Sequence, residues 1–167
     1  MLNANQVKSL LNLEPHPAEG GYFRETYRSA ESVQEDSLAD RYPNARSFST
    51  AIYYLLTPET FSALHRLPTD EIYHFYLGDP IEMLQLQPDG SGQIVILGND
   101  LLKGMQPQVV IPKGIWQGSR LIIGGEFALL GATMAPGFEF EDYEHGNRES
   151  LVSLYPRFSD KIRSLTR

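Results

Sequence analysis

His65 and Glu71 are the side chains of this sequence best suited to chemistry. They stand in FSALHRLPTDEIYHFYLG (Phe61 to Gly78), each on a short apolar run, with Pro68-Thr69-Asp70 between them. An imidazole beside a carboxylate can take a proton from a carbon next to a carbonyl, or supply two arms of a divalent-metal site. On a strand starting at Phe61, side chains alternate between faces, so His65 shares a side with Phe61, Ala63 and Leu67. Past the turn, Glu71 shares a face with Tyr73, Phe75 and Leu77, opposite Ile72, His74 and Tyr76. Glu71 can turn inward beside His65 only if His74 points away, which makes His74 a structural, outer-face residue. In an apolar interior the inward pair must be hydrogen-bonded, hydrated or metal-bound, because an unsatisfied buried charge is costly or shifts its pKa.

The turn residues between the two runs predict a hairpin with both polar side chains near its closed end. From Arg46 onward further runs follow: SFSTAIYYLLT, IEMLQLQ, QIVILG, QVVIP and EFALLGATM, each bounded by Gly, Pro, Asn or Asp. Many short strands with close turns predict an all-β sandwich or barrel. Pro88-Asp89-Gly90-Ser91-Gly92 is the clearest turn and should join two strands as a hairpin. Ahead of the strands, Asn5 to Leu13 places Val7, Leu10 and Leu11 at helical spacing, with Asn3 or Asn5 as cap and Pro15 as stop. Gly20-Gly21 then breaks the chain before a strand in which Tyr22, Arg24, Thr26 and Arg28 alternate with Phe23, Glu25 and Tyr27. Glu31 to Asn44 is polar and predicts an exposed loop or mobile insertion. The tail, NRESLVSLYPRFSDKIRSLTR, predicts two short helices interrupted at Pro156.

The 167 residues suit one domain spanning 1–167. An apolar content of 41% with no long apolar run predicts a soluble chain without a membrane partner. The start, MLNANQVKSLL, lacks the basic and apolar regions of a secretory signal, so a cytoplasmic location is the default expectation. Cysteine is absent, which excludes disulfides, thiolate nucleophiles and Cys-ligated zinc. A net charge of −7 disfavours nucleic acid as a partner.

The text around His65 resembles the first cupin motif, a His-x-His pair followed by a Glu and, seven residues on, a Gly. Glu71 and Gly78 have that spacing, His65 supplies one histidine, and Leu67 stands where the second would be. The second cupin motif, Pro-x-Gly-x-x-His, reads Pro112-Lys113-Gly114-Ile115-Trp116-Gln117, with Gln117 in place of the last histidine. With EGGYFRETYRS (Glu19 to Ser29), STAIYYLL (Ser49 to Leu56) and APGFEFEDYE (Ala135 to Glu144), nearly the whole chain resembles the small uncharacterised cupins related in fold to the deoxysugar-nucleotide epimerases. The resemblance implies a jelly-roll β-barrel with short terminal helices and a homodimer, and little about chemistry, since fold does not give function.

On this register His65, Glu71 and Gln117 should converge on one cavity as base, orienting partner and third polar arm. They are also the candidate ligands of a weakly bound divalent metal, weakened because Leu67 and Gln117 replace imidazoles. Trp116 and Tyr73 would flank the mouth as aromatic walls, and Arg24 and Arg28 of the first strand could grip a carboxylate or phosphate of the ligand, with surface ion pairs to Glu25 or Glu31 as the alternative. The acidic run Glu139, Glu141, Asp142 and Glu144 alternates with Phe138, Phe140 and Tyr143 and reads as a solvated strand face. The expected function is binding or conversion of a small polar, sugar-like or nucleotide-sugar-like molecule inside the barrel, with epimerase or isomerase chemistry. The alternatives are a non-catalytic storage, sensing or scaffolding dimer and a metal-dependent oxygenase. The dimer interface is expected to include Gly21 to Ser29, whose aromatic residues suit an edge strand paired with a second subunit.

Overall fold

Asn3 starts the first helix. The computed structural model of the chain describes residues 2–167. In it α1 (Ala4–Leu11) is capped reciprocally: the Asn3 side chain accepts from the Gln6 N–H, and the Gln6 side chain accepts from the Asn3 N–H. It ends at Asn12, which takes a left-handed conformation at φ 50°, three residues before Pro15. Val7 and Leu11 pack against Tyr22, Tyr53, Leu55 and Leu129, so the helix covers the outside of a sheet.

Thirteen strands follow: β1 (Glu14–Pro15), β2 (Tyr22–Arg28), β3 (Ser32–Val33), β4 (Arg46–Ser47), β5 (Thr50–Leu56), β6 (Phe61–Arg66), β7 (Glu71–Gly78), β8 (Ile81–Leu86), β9 (Gly92–Leu97), β10 (Gln108–Ile111), β11 (Trp116–Leu121), β12 (Ala128–Met134) and β13 (Glu144–His145). Beside a separate two-stranded ribbon in which β3 pairs with β4, one sheet runs β1-β2-β5-β12-β7-β10 and a second β13-β6-β11-β8-β9, both antiparallel. Their inner faces meet in a jelly roll around Tyr54, Leu56, Tyr73, Phe75, Ile81, Met83, Leu97 and Leu130. Two short helices, α2 (Arg148–Leu154) and α3 (Ser159–Ser164), close the chain on either side of a 3-10 turn at Pro156. They bury Leu151, Tyr155, Ile162 and Leu165 against Leu64, Leu84 and Leu86, on the outer face of the second sheet.

Four features depart from the sequence expectations or add to them. First, β6 and β7 do not form a hairpin: they lie in different sheets, and Leu67–Asp70 arches between them. The arch is held by other segments, since Asp70 Oδ1 accepts from the Lys113 N–H at 2.8 Å and Leu67 C=O from the Gly114 N–H at 2.8 Å. Second, β11 is a strand that its own pattern does not announce. Gly118 permits it, because a Cβ there would lie 3.0 Å from the Ser62 carbonyl, where the register against β6 shifts. Third, the segment from Glu31 to Asn44 is exposed as expected, but its C-terminal end is anchored. Tyr42 is buried with its hydroxyl 2.7 Å from Thr69 Oγ1, and Arg41 donates to the Pro68 carbonyl at 2.9 Å. Fourth, the acidic run is a 3-10 turn (Phe140–Asp142), not a strand face. Asp142 is buried and pairs with the buried Arg46 at 2.8 Å, while Glu139 and Glu144 pair with Arg28 and Arg66. The β8–β9 hairpin forms at the Pro88–Gly92 turn in the register Ile81↔Leu97 to Leu86↔Gly92.

Candidate functional site

His65 ends the inward row of β6, opposite Gln117 of β11. Its Nδ1 lies 2.7 Å from the Ala63 carbonyl, which can only accept, so Nδ1 carries the proton and Nε2 presents a lone pair. Nε2 receives the Gln117 side-chain amide N–H at 3.3 Å and stands 4.0 Å from Glu19 Oε2. Tyr143 stacks on the imidazole at 4.8 Å.

Glu71 opens β7 and is buried, and one of its oxygens accepts a short hydrogen bond from the same Gln117 amide. Burial pushes its carboxyl up to about 8 and the charge of Glu19 adds to this, while the Gln117 bond opposes it. Glu71 is therefore a protonated acid at neutral pH. Gln117 is the pivot of the pair: its nitrogen serves both partners, and its buried Oε1 has no partner among the described residues. His65, Glu71 and Gln117 converge, and His74 faces outward, where it contacts Thr133 and Gln108.

Glu19 is a site residue that sequence reasoning missed. It is buried in the loop before β2, and accepts a short hydrogen bond from Ser62 Oγ. The crossing of this loop over β6 is close: a Cβ on Gly20 would lie 2.5 Å from the Phe61 carbonyl, and Gly20 sits at φ 101°. The Gly20-Gly21 pair was the available signal, and it marks a close approach of two backbones as well as a break. Tyr73 lies behind Glu19 with its hydroxyl 3.5 Å from Oε1; it is core and does not line the mouth.

A cavity of about 70 Å³ opens beside this cluster, lined by His16, Glu19, Phe23, Arg28, Thr50, Ile52, His65, Leu67, Glu71, Phe138, Phe140 and Tyr143 among others. At roughly 30 Å³ per water it encloses about two waters, or the reacting end of a small ligand. Two proposed ligand-binding residues stand elsewhere. Trp116 neighbours inward-facing Gln117 and so points to the other side of the sheet, against the C-terminal helices, with the Arg66 guanidinium 4.6 Å from its ring centre. Arg24 lies over Tyr53 at 5.7 Å, away from the cavity. The cation at the mouth is Arg28, because β2 bulges between Glu25 and Tyr27 and pairs Arg28 with inward-facing Thr50. Arg28 donates to Glu25, to Glu139 at 2.6 Å and to the Phe138 carbonyl at 3.0 Å, fixing the aromatic cover. Buried Arg46 anchors the other end of that cover through Glu141 and Asp142.

The family model described as Cupin superfamily (DUF985) matches residues 5–146. The chain belongs to the cupin superfamily. This cupin is 34% identical to a structurally characterised protein of Shewanella oneidensis, with a TM-score of 0.88 over 100% of this chain and 99% of that one. It is 32% identical over 133 residues to an uncharacterized protein of Saccharomyces cerevisiae, spanning 75% of this chain and 66%, just under two thirds, of the yeast protein. Oxalate decarboxylase of Bacillus subtilis, whose Mn(II) centers have been studied, shares the fold alone: 15% identity and a TM-score of 0.54 over 93% of this cupin and 38% of that enzyme.

The donor set of this cupin does not fit a divalent metal. Among the described residues no three His, Cys, Asp or Glu side chains form a group able to hold one. Leu67 and Gln117 occupy the positions of two imidazoles, and an aliphatic side chain and an amide do not replace them as ligands. No helix of the described residues is long and apolar enough to cross a membrane.

Proposed function

We propose that the cavity binds a small, polar, sugar-like carbonyl compound and moves a proton on the carbon next to its carbonyl, an isomerase or epimerase reaction. The observation that carries this reading is the pairing of opposite proton states: a buried imidazole with its lone pair on Nε2, and a buried carboxyl that keeps its proton at neutral pH. Environments that push two titratable groups apart are the usual way to obtain an acid and a base at one pH. His65 takes the carbon-bound proton, and the Glu19 carboxylate at 4.0 Å stabilises the imidazolium that forms. Glu71, held by Gln117, is the proton donor. The small enclosed volume and the two carboxyl groups favour a neutral ligand of few atoms over a nucleotide sugar.

The test is proton exchange. Glyceraldehyde, dihydroxyacetone and erythrulose are incubated with the protein in D2O at neutral pH and followed by proton NMR. Loss of the signal next to the carbonyl, faster than in buffer and abolished by His65→Gln, is the expected result. No enhancement with any of the three contradicts the reading.

The same reading includes a homodimer built through β2. Beyond Tyr22 and Phe23 that strand has no neighbour on its outer edge among the described residues, and Tyr27 is 54% exposed. Light scattering should give twice the 18.8 kDa chain mass; a monomer at micromolar concentration refutes it.

A further inference from the structure

His16 is absent from both cupin motifs, yet it lines the cavity that His65 and Glu71 line. Its ring is fixed from behind. Nδ1 faces the Glu19 backbone N–H at 2.9 Å and the Ala18 N–H at 3.4 Å. Both are donors, so Nδ1 must be the lone-pair nitrogen and the proton of the neutral ring must sit on Nε2. The ring is clamped by Phe23 at 4.6 Å, Phe140 at 5.8 Å and Tyr54 at 6.4 Å. Nε2 has no hydrogen-bond partner among the described residues.

Protonating Nδ1 would set a new N–H against two backbone N–H groups. Burial among the aromatic rings also lowers the imidazole pKa, opposed by the charge of Glu19 and reinforced by His65. The titratable and charged groups that share the cavity with the ring are Glu19, Glu25, Arg28, His65, Glu71 and Tyr143. The two histidines of the cavity are thus opposite tautomers: His65 offers a lone pair and His16 offers an N–H.

We propose that His16 is a catalytic residue that donates a hydrogen bond from Nε2 to the carbonyl oxygen of the ligand, as His65 removes the adjacent carbon-bound proton. This rests on the proton-transfer reading above and names its electrophile. The step balances: the C–H pair becomes the C=C bond of an enediolate, the C=O π pair moves onto oxygen, and the proton goes to His65 Nε2. The oxygen is stabilised by His16 Nε2–H, and return of a proton to carbon completes exchange or isomerisation without oxidant or reductant. A neutral imidazole suits the task because its weak acidity is matched to an enediolate, the same logic by which a neutral histidine polarises the carbonyl in triosephosphate isomerase. Preorganised donors of this kind are worth about 100- to 1000-fold in rate.

Two measurements decide it. Long-range proton–nitrogen NMR of the 15N-labelled protein should show His16 protonated on Nε2 only, and His65 on Nδ1 only, at pH 7. His16 with its proton on Nδ1, or on both nitrogens, overturns the proposal. Calorimetry with glycolohydroxamate, a small uncharged enediolate mimic, should show binding that His16→Ala weakens at least tenfold. His16→Gln, which retains a side-chain N–H, should weaken it less. Absence of hydroxamate binding, or binding unchanged in His16→Ala, also overturns it, even if His65-dependent exchange persists. Conversely, His16-dependent hydroxamate binding without any deuterium exchange upholds His16 as the oxygen's donor and removes the isomerase reading instead.

Discussion

The space between the two sheets is dry at one end and polar at the other, although the same strands run through both. Along β12 the inward row passes from Ala128 and Leu130, which are core, to Ala132 and Met134 at the cavity. Along β7 it passes from Phe75 to Glu71, and along β5 from Leu56 and Tyr54 to Ile52 and Thr50. Alternation of side chains does not distinguish the two ends. What differs is the cover: Met83, Val95 and Leu97 fill the dry end, whereas the polar end is closed by loops that carry His16, Glu19 and Tyr143. The strands therefore supply an interior, and the connections decide whether it holds side chains or a ligand.

Stability is the sharpest way to break the comparison. Leu130→Ala at the dry end removes a fully buried side chain and should cost about 2–5 kcal/mol in urea unfolding. His65→Gln at the polar end should cost clearly less, because the ring already borders open space.

The pH dependence separates the ends next. Unfolded Glu71 loses its proton near 4.5, and folded Glu71 keeps it until about 8. Between those values the folded state binds one proton more, so its contribution is present in full below 4.5 and is lost as pH rises towards 8. The slope from this group is at most roughly 1.4 kcal/mol per pH unit. Glu71→Gln should remove that slope in denaturation series from pH 4 to pH 9, and an unchanged slope would show that Glu71 is ionised in the fold.

How far the site is legible in the chain follows from the same contrast. Alternation is local, so the runs Phe61–Arg66 and Glu71–Gly78 suffice to turn His65 and Glu71 inward and His74 outward. The motif register adds Gln117. Alternation also misleads at Arg28, because a bulge in β2 turns it to the face opposite Arg24 and nothing in YFRETYR announces it. The turn at Pro68 looks like a hairpin because turn chemistry says nothing about which sheet the next strand joins. His16 and Glu19 are invisible for a third reason: they act through a loop whose path over β6 is set by tertiary contact, with Gly20-Gly21 as its trace in the sequence.

Two smaller effects sharpen the account. Gln117→Leu removes the hydrogen bond that favours ionised Glu71 and should raise the Glu71 midpoint further, seen in carboxyl NMR titration; a lowered midpoint would contradict the assigned donor direction. The smallest effect concerns the arginines. Arg28→Ala should speed amide hydrogen exchange across residues 138–143, because the Phe138 carbonyl and Glu139 lose their donor. Arg24→Ala, which loses only its contact with Tyr53, should leave that segment unchanged; equal effects would mean that the cover does not depend on Arg28.

The most direct measurement is the titration of Glu71 itself in protein labelled with 13C at glutamate carboxyls, assigned through Glu71→Gln. One carboxyl that remains protonated at pH 7 and titrates near 8, absent from the variant, is the result expected of a polar end built for proton transfer. A Glu71 carboxyl already ionised at pH 6 would contradict it.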